Sequence, residues 1–234
     1  LGNGKKLQTM AGKPRVYKSN DHLFYILAGL VLLLALLRIN FPKYFENIFS
    51  LSFQVKFRQT QTRDLLLQNS LPAFLFNVYF IFSAALFITL LAQYFNWVTL
   101  DFWWLFLYIT LILAGIYLTK YLFINFSGWI FKAEQPAASY NFIVFLINKV
   151  LGIILIPFTV LFAFADDEIK KIVLTVTACI VFSLLAFRYV VSLLTVKRNL
   201  NISAFHFFLY LCAVEIMPML VIYKVLFLET TAKK

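Results

Sequence analysis

Several apolar runs long enough to cross a bilayer limit this chain more than any other feature. The run at residues 204–228 holds a single carboxylate, Glu215, with Pro218 three residues later. At about 1.5 Å per residue such a run crosses the hydrocarbon with some tilt, and Glu215 falls roughly 17 Å below one surface. A charge there costs on the order of 3 kcal/mol or more unless it is paired, hydrated or protonated. Pro218 has no N–H for the Val214 carbonyl, so a backbone acceptor is freed one residue from the carboxylate. Similar runs recur along the 234 residues, of which 62% are hydrophobic and 13% charged. A soluble domain carries about a quarter charged residues, and a transmembrane barrel would alternate with period two, which is absent here. The expected class is therefore all-α: a polytopic helical membrane protein with six transmembrane helices and one interfacial amphipathic helix.

The expected spans cover about residues 22–39, 71–95, 102–124, 140–164, 169–194 and 204–228, between a basic tail at 1–21 and a polar tail at 229–234. Asn20-Asp21 reads as a helix N-cap, Pro72 sits at a first helical turn, and Trp103-Trp104 reads as an interfacial aromatic anchor. Residues 43–57 place Phe45, Ile48, Phe49 and Phe53 on one helical face, with Lys43, Glu46, Asn47 and Gln54 around the other. That pattern predicts a helix lying in the membrane interface. The chain opens on Leu rather than Met, as expected of a truncated or processed product, and its first apolar run lacks the small-residue cleavage site of a signal peptide.

Basic residues crowd three connections and leave the other two. Lys43, Lys56, Arg58 and Arg63 follow the first span, Lys132 the third, and Lys197 and Arg198 the fifth, whereas the turn at 96–101 has neither Lys nor Arg and the turn at 165–168 is acidic. The positive-inside rule then puts the odd connections in the cytoplasm and both termini outside, against the pull of the basic N-terminal tail. The net charge of +11 thus belongs to a membrane surface, and no aromatic-basic groove for nucleic acid is present.

A second set of charges lies inside the spans. Lys149 is roughly 14 Å deep in the fourth span, and Glu215 lies at nearly the same depth in the sixth, which runs in the same direction. They are the obvious buried ion pair, with Arg188, Lys120 and His206 towards the same face and Asn77 and Asn148 as interhelical amides. Two readings follow. In one, Glu215 and Lys149 lock two helices while Arg188, Lys120, His206, Lys197 and Arg198 reach head groups or another anion. In the other, the backbone breaks at Pro157 and Pro218 open a polar pocket for a proton, an ion or an anion.

Enzyme signatures are absent: the sequence has no His-Glu-x-x-His, no Gly-x-Ser-x-Gly and no Gly-rich phosphate loop. With two His near span ends and Cys179 and Cys212 inside apolar runs, no metal, haem or other cofactor is expected.

The run Leu209-Tyr-Leu-Cys-Ala-Val-Glu-Ile-Met-Pro218, together with Asn20-Asp21 before a Leu-rich span and Gly152-Ile-Ile-Leu-Ile-Pro157, resembles a family of small multispanning bacterial membrane proteins. That family is catalogued as a domain of unknown function in a Gram-negative group with elaborate outer-membrane export. The likeness covers about residues 20–228, implies an inner-membrane location, and marks Glu215 and Pro218. The expected role is a non-enzymatic scaffold or accessory subunit of an envelope complex, protein export included, in contact with the bilayer and other membrane proteins. The alternatives are a small transporter or ion-conducting subunit, and a protein that binds anionic phospholipid. Reporter fusions after Gln61, Phe131 and Asn199 are predicted to read cytoplasmic, and fusions after Asn96 and Asp167 to read external. A uniformly inverted result would reverse the orientation; a mixed one would refute the span count.

Overall fold

The computed structural model describes residues 21–53, 70–98, 100–130, 132 and 134–199. These form six α-helices: α1 (Asp21–Asn40), α2 (Pro42–Phe53), α3 (Ser70–Tyr94), α4 (Phe102–Ile130), α5 (Glu134–Phe164) and α6 (Asp167–Asn199). No strand occurs among the described residues. All but α2 are long and apolar enough to cross a membrane. The sixth expected span, the N-terminal tail and the end of the expected interfacial helix lie outside the described residues, as do Glu215, Pro218 and His206.

Local chemistry accounts for the helix ends. The carbonyls of Asp101 and Asp166 accept from the amides of Leu105 and Lys170, which makes both residues N-caps. Asn96 closes α3 with φ 52°, a left-handed conformation that Asn tolerates. Its amide donates to Gln93 and the following Trp97 amide to Ala92, a Schellman arrangement that satisfies two terminal carbonyls. Lys132, with φ 51°, turns the chain from α4 into α5. Pro42 opens α2 directly after α1, at the position where a missing N–H costs nothing.

Helices α4 and α5 meet much closer together than the apolar pattern placed them. Each extends past its expected boundary, to Ile130 and back to Glu134. Helical backbone satisfies its own hydrogen bonds there without apolar side chains, and Asn141 donates to Asn125 across the two helices at 2.9 Å at the edge of the hydrophobic stretch. α5 also continues through Pro157, whose side chain is exposed and which leaves only the Ile153 carbonyl without its intrahelical donor.

The bundle is built around α5, which packs on each of the other five helices. In the most apolar stretches of α3 and α5 more than half of the residues are buried (56% and 61%), against 6% in that of α4. Their contact is tightest at Gly152, where an added Cβ would lie 2.7 Å from the Cα of Phe80. Ser83 uses that proximity to donate to the Gly152 carbonyl at 2.9 Å. Small residues let membrane helices approach in this way when water supplies no driving force between them. Around the contact pack Leu86, Leu90, Val150 and Ile156, with Leu27, Leu30 and Leu37 of α1. Gly152→Ala is expected to push α3 from α5 and cost about 1–3 kcal/mol, as overpacking does. Gly29→Ala and Gly115→Ala, where an added Cβ meets nothing within 4 Å, serve as neutral controls. The check is the unfolding midpoint in detergent; equal midpoints for all three variants would disprove the tight contact.

Candidate functional site: a cationic half-bundle

Short turns make α3 to α6 alternate in direction, so the C-terminal halves of α4 and α6 share an end of the bundle with the N-terminal halves of α3 and α5. α2 packs at that same end, against α1 and α5. Three cations are buried there: Lys120 on α4, Lys149 on α5 and Arg188 on α6, at 9%, 6% and 5% exposure. Buried threonines described in the other half have local uses. Thr89, Thr159 and Thr177 donate to carbonyls four residues back.

Lys149 is held by α2. Its Nζ donates to the Tyr44 hydroxyl at 2.8 Å and lies 5.3 Å from the centre of the same ring. The phenol thus meets the ammonium end-on, through its acceptor oxygen. Tyr44 is itself buried, and it stacks on Phe76 of α3 with ring centres 5.5 Å apart. Burial pushes the phenol well above its usual pKa, so the oxygen meets the ammonium as a neutral hydroxyl. Tyr44 reaches this position because it shares an i, i+4, i+8 stripe with Ile48 and Ser52, all three buried. The face expected from the sequence overlaps that stripe at Ile48 and continues beside it, with Phe45 and Phe49 half-buried and Glu46 of the expected polar face exposed.

Arg188 and Lys120 occupy the space between α4, α5 and α6. Nη1 of Arg188 donates to Oδ1 of Asn148 at 3.3 Å, and the Tyr117 hydroxyl is within hydrogen-bonding reach of both. Lys120 Nζ sits 5.9 Å from the centre of the Tyr140 ring, close enough to Arg188 for their like charges to repel. Packing two cations together inside a bundle requires negative charge or strong acceptors nearby. No Asp or Glu is buried among the described residues. Asn77 Oδ1, Tyr79 OH, Asn148 Nδ2 and Ser192 Oγ are buried with no hydrogen-bond partner among the described residues. No three His, Cys, Asp or Glu side chains among those residues gather as metal ligands.

Of the residues singled out from the sequence, Lys149, Arg188, Lys120 and Asn148 converge on this one half-bundle. Lys197 and Arg198 fall in the last turn of α6. Pro157 lies two turns beyond Lys149, towards the opposite end of α5. Sequence reasoning passed over Tyr44, Tyr117 and Tyr140. The Tyr44-Ile48-Ser52 spacing was the available signal for the first, and the second sits one turn before Lys120 on the same helix.

Five spanning-length apolar helices closed around an intramembrane set of basic and amide side chains define a multi-pass helical membrane protein. The chain belongs to the family described as Domain of unknown function (DUF4271), which matches it over residues 23–226. Neither the curated proteins nor the solved structures contain a match to it.

Tyr44→Phe keeps the ring on Phe76 but strands one donor of the buried ammonium, and should cost about 1–3 kcal/mol. Adding Lys149→Met should recover most of that loss, because no buried charge is then left behind. A double-mutant cycle on unfolding midpoints in detergent checks this, and strictly additive effects would rule out the coupling.

Proposed function

We propose that this is a six-span inner-membrane protein of a Gram-negative cell, with residues 204–228 as the sixth span, α2 in the membrane interface and both termini outside. In this reading it is a non-enzymatic scaffold or accessory subunit of an envelope complex, with protein export among the processes it could serve. The observation that carries the reading is how the buried polar side chains are used. Lys149–Tyr44, Arg188–Asn148, Asn141–Asn125 and Ser83–Gly152 each join two different helices. Polar groups spent on helix-to-helix links favour a fixed framework over a pathway that must open and close. The outward faces of α1, α4 and α6 are strongly apolar, with Trp103, Trp104, Tyr108 and Trp129 exposed on α4, and suit lipid and the helices of other membrane proteins.

Glu215 completes the proposal as the carboxylate that serves the cations Lys149, Arg188 and Lys120. The second reading, a small transporter or ion-conducting subunit, is favoured by the gathering of those cations in one half of the bundle. Glu215→Gln separates the two. Glutamine keeps the size and hydrogen-bonding reach of the side chain but cannot titrate or carry charge. A framework held partly by interhelical hydrogen bonds, worth about 0.6 kcal/mol each on average in membranes, should tolerate the change. A strain carrying only this variant is expected to grow and keep its envelope intact at near-normal level. Normal expression with complete loss of function would defeat the scaffold and promote the transporter.

A further inference from the structure

At the junction of α1 and α2 the chain forms an open pocket of about 300 Å³ lined by Arg38, Pro42, Phe45, Glu46 and Phe49. The spacing i, i+4, i+7, i+8, i+11 puts these five residues on one face of two helices that Phe41 nearly joins. The Phe41 amide still bonds to Leu37 and the Phe45 amide to Phe41, so the stripe stays in register across the junction. Tyr44, Ile48 and Ser52 face the bundle, and the pocket face lies beside them, half-buried at Phe45 and Phe49 and exposed at Glu46. Arg38 lies over the Phe45 ring at 5.7 Å, and Arg38 and Glu46 are both exposed. Neither takes part in an ion pair among the described residues.

We propose that this junction holds the phosphoethanolamine head group of a phospholipid, with Arg38 on the phosphate, Glu46 on the ammonium, and Phe45 and Phe49 as its apolar floor. One cation and one carboxylate over an aromatic floor match a zwitterion in sign. Guanidinium pairs with phosphate in a two-pronged geometry, and the primary ammonium brings N–H donors that a carboxylate accepts. A choline head group has no such donors. An anionic glycerol head group would meet Glu46 with no positive charge to offer, and Lys43, though exposed, does not line the pocket. The inference rests on the interfacial placement of α2 proposed above.

The test uses the full chain in detergent, doped in turn with phosphatidylethanolamine, phosphatidylcholine and phosphatidylglycerol of the same acyl chains, with retained lipid counted by native mass spectrometry. The wild type should retain phosphatidylethanolamine roughly three- to fivefold better than the other two, the scale of exposed charge pairs. Glu46→Gln should abolish that preference, and Arg38→Gln should lower retention of all three lipids at this site. Equal retention by the wild type, or a preference that either substitution leaves intact, overturns the proposal. A nitroxide at Ser50, attached after Ser50→Cys in a background without Cys179 and Cys212, separates the two failures. Accessibility to aqueous rather than lipid-soluble quenchers would refute the interfacial placement, and the head-group site with it. An interfacial reading without head-group preference refutes the site alone.

Discussion

Hydrocarbon offers no hydrogen bonds, so every polar group that a membrane bundle buries must find its partner inside the protein. In this chain that constraint meets the close approach of α3 and α5. Gly152 lets the two backbones come near enough for Ser83 to bond across them. The pair forms the buried centre against which α1, α4 and α6 lay their inner faces. Volume is limiting at the contact, and partner supply is limiting in the half-bundle that holds Lys120, Lys149 and Arg188. The two demands are met at different levels of the same helix, α5.

Tyrosine is the side chain that reconciles them. Tyr44, Tyr117 and Tyr140 each bring a large apolar ring that packs and a polar edge or π-face that a cation can use. An all-aliphatic wall would leave the cations stranded, and a wall of carboxylates would bring desolvation costs of its own. The arrangement also ties a short, non-spanning helix to the centre of the bundle. α2 is fastened through Tyr44 to both Lys149 and Phe76, so its position is set by contacts with α3 and α5 as well as by its amphipathic surface.

The five described apolar helices were legible because a bilayer demands long apolar runs, and the turns from α3 to α6 are short and capped by Asp101, Asn96 and Asp166. Their ends were less legible. A helix stops where its backbone stops being satisfied, not where its side chains stop being apolar, and α4 and α5 run past the hydrophobic boundary, where Asn141 bonds to Asn125 between them. That Lys120, Lys149 and Arg188 belong together followed from alternating helix direction. The bond from Lys149 to the Tyr44 hydroxyl did not, because Tyr44 is 105 residues away on a helix that the pattern places at the surface, while the expected pairing with Glu215 involves a residue outside the described ones. A tyrosine in an amphipathic helix reads as an interfacial residue until the packing shows which way the helix is rolled.

The unequal lengths of the helices bear on what the buried cations cost. α4, α5 and α6 contain 29, 31 and 33 residues, and α1 contains 20. At about 1.5 Å per residue the three long helices exceed a hydrocarbon layer of roughly 30 Å by some 13–20 Å. In the membrane placement proposed above, with Trp103 and Trp104 at one boundary, the excess would emerge at the other, where α2 and the α4–α5 turn lie. Lys120 would then sit about one turn inside that second boundary, Arg188 close to it, and Lys149 roughly 8 Å beneath. The long helices would raise a collar above the lipid at this end, with these charges in the zone where the collar meets the acyl chains. Penalties there are far below those at the midplane, which fits three buried cations with no buried acid among the described residues.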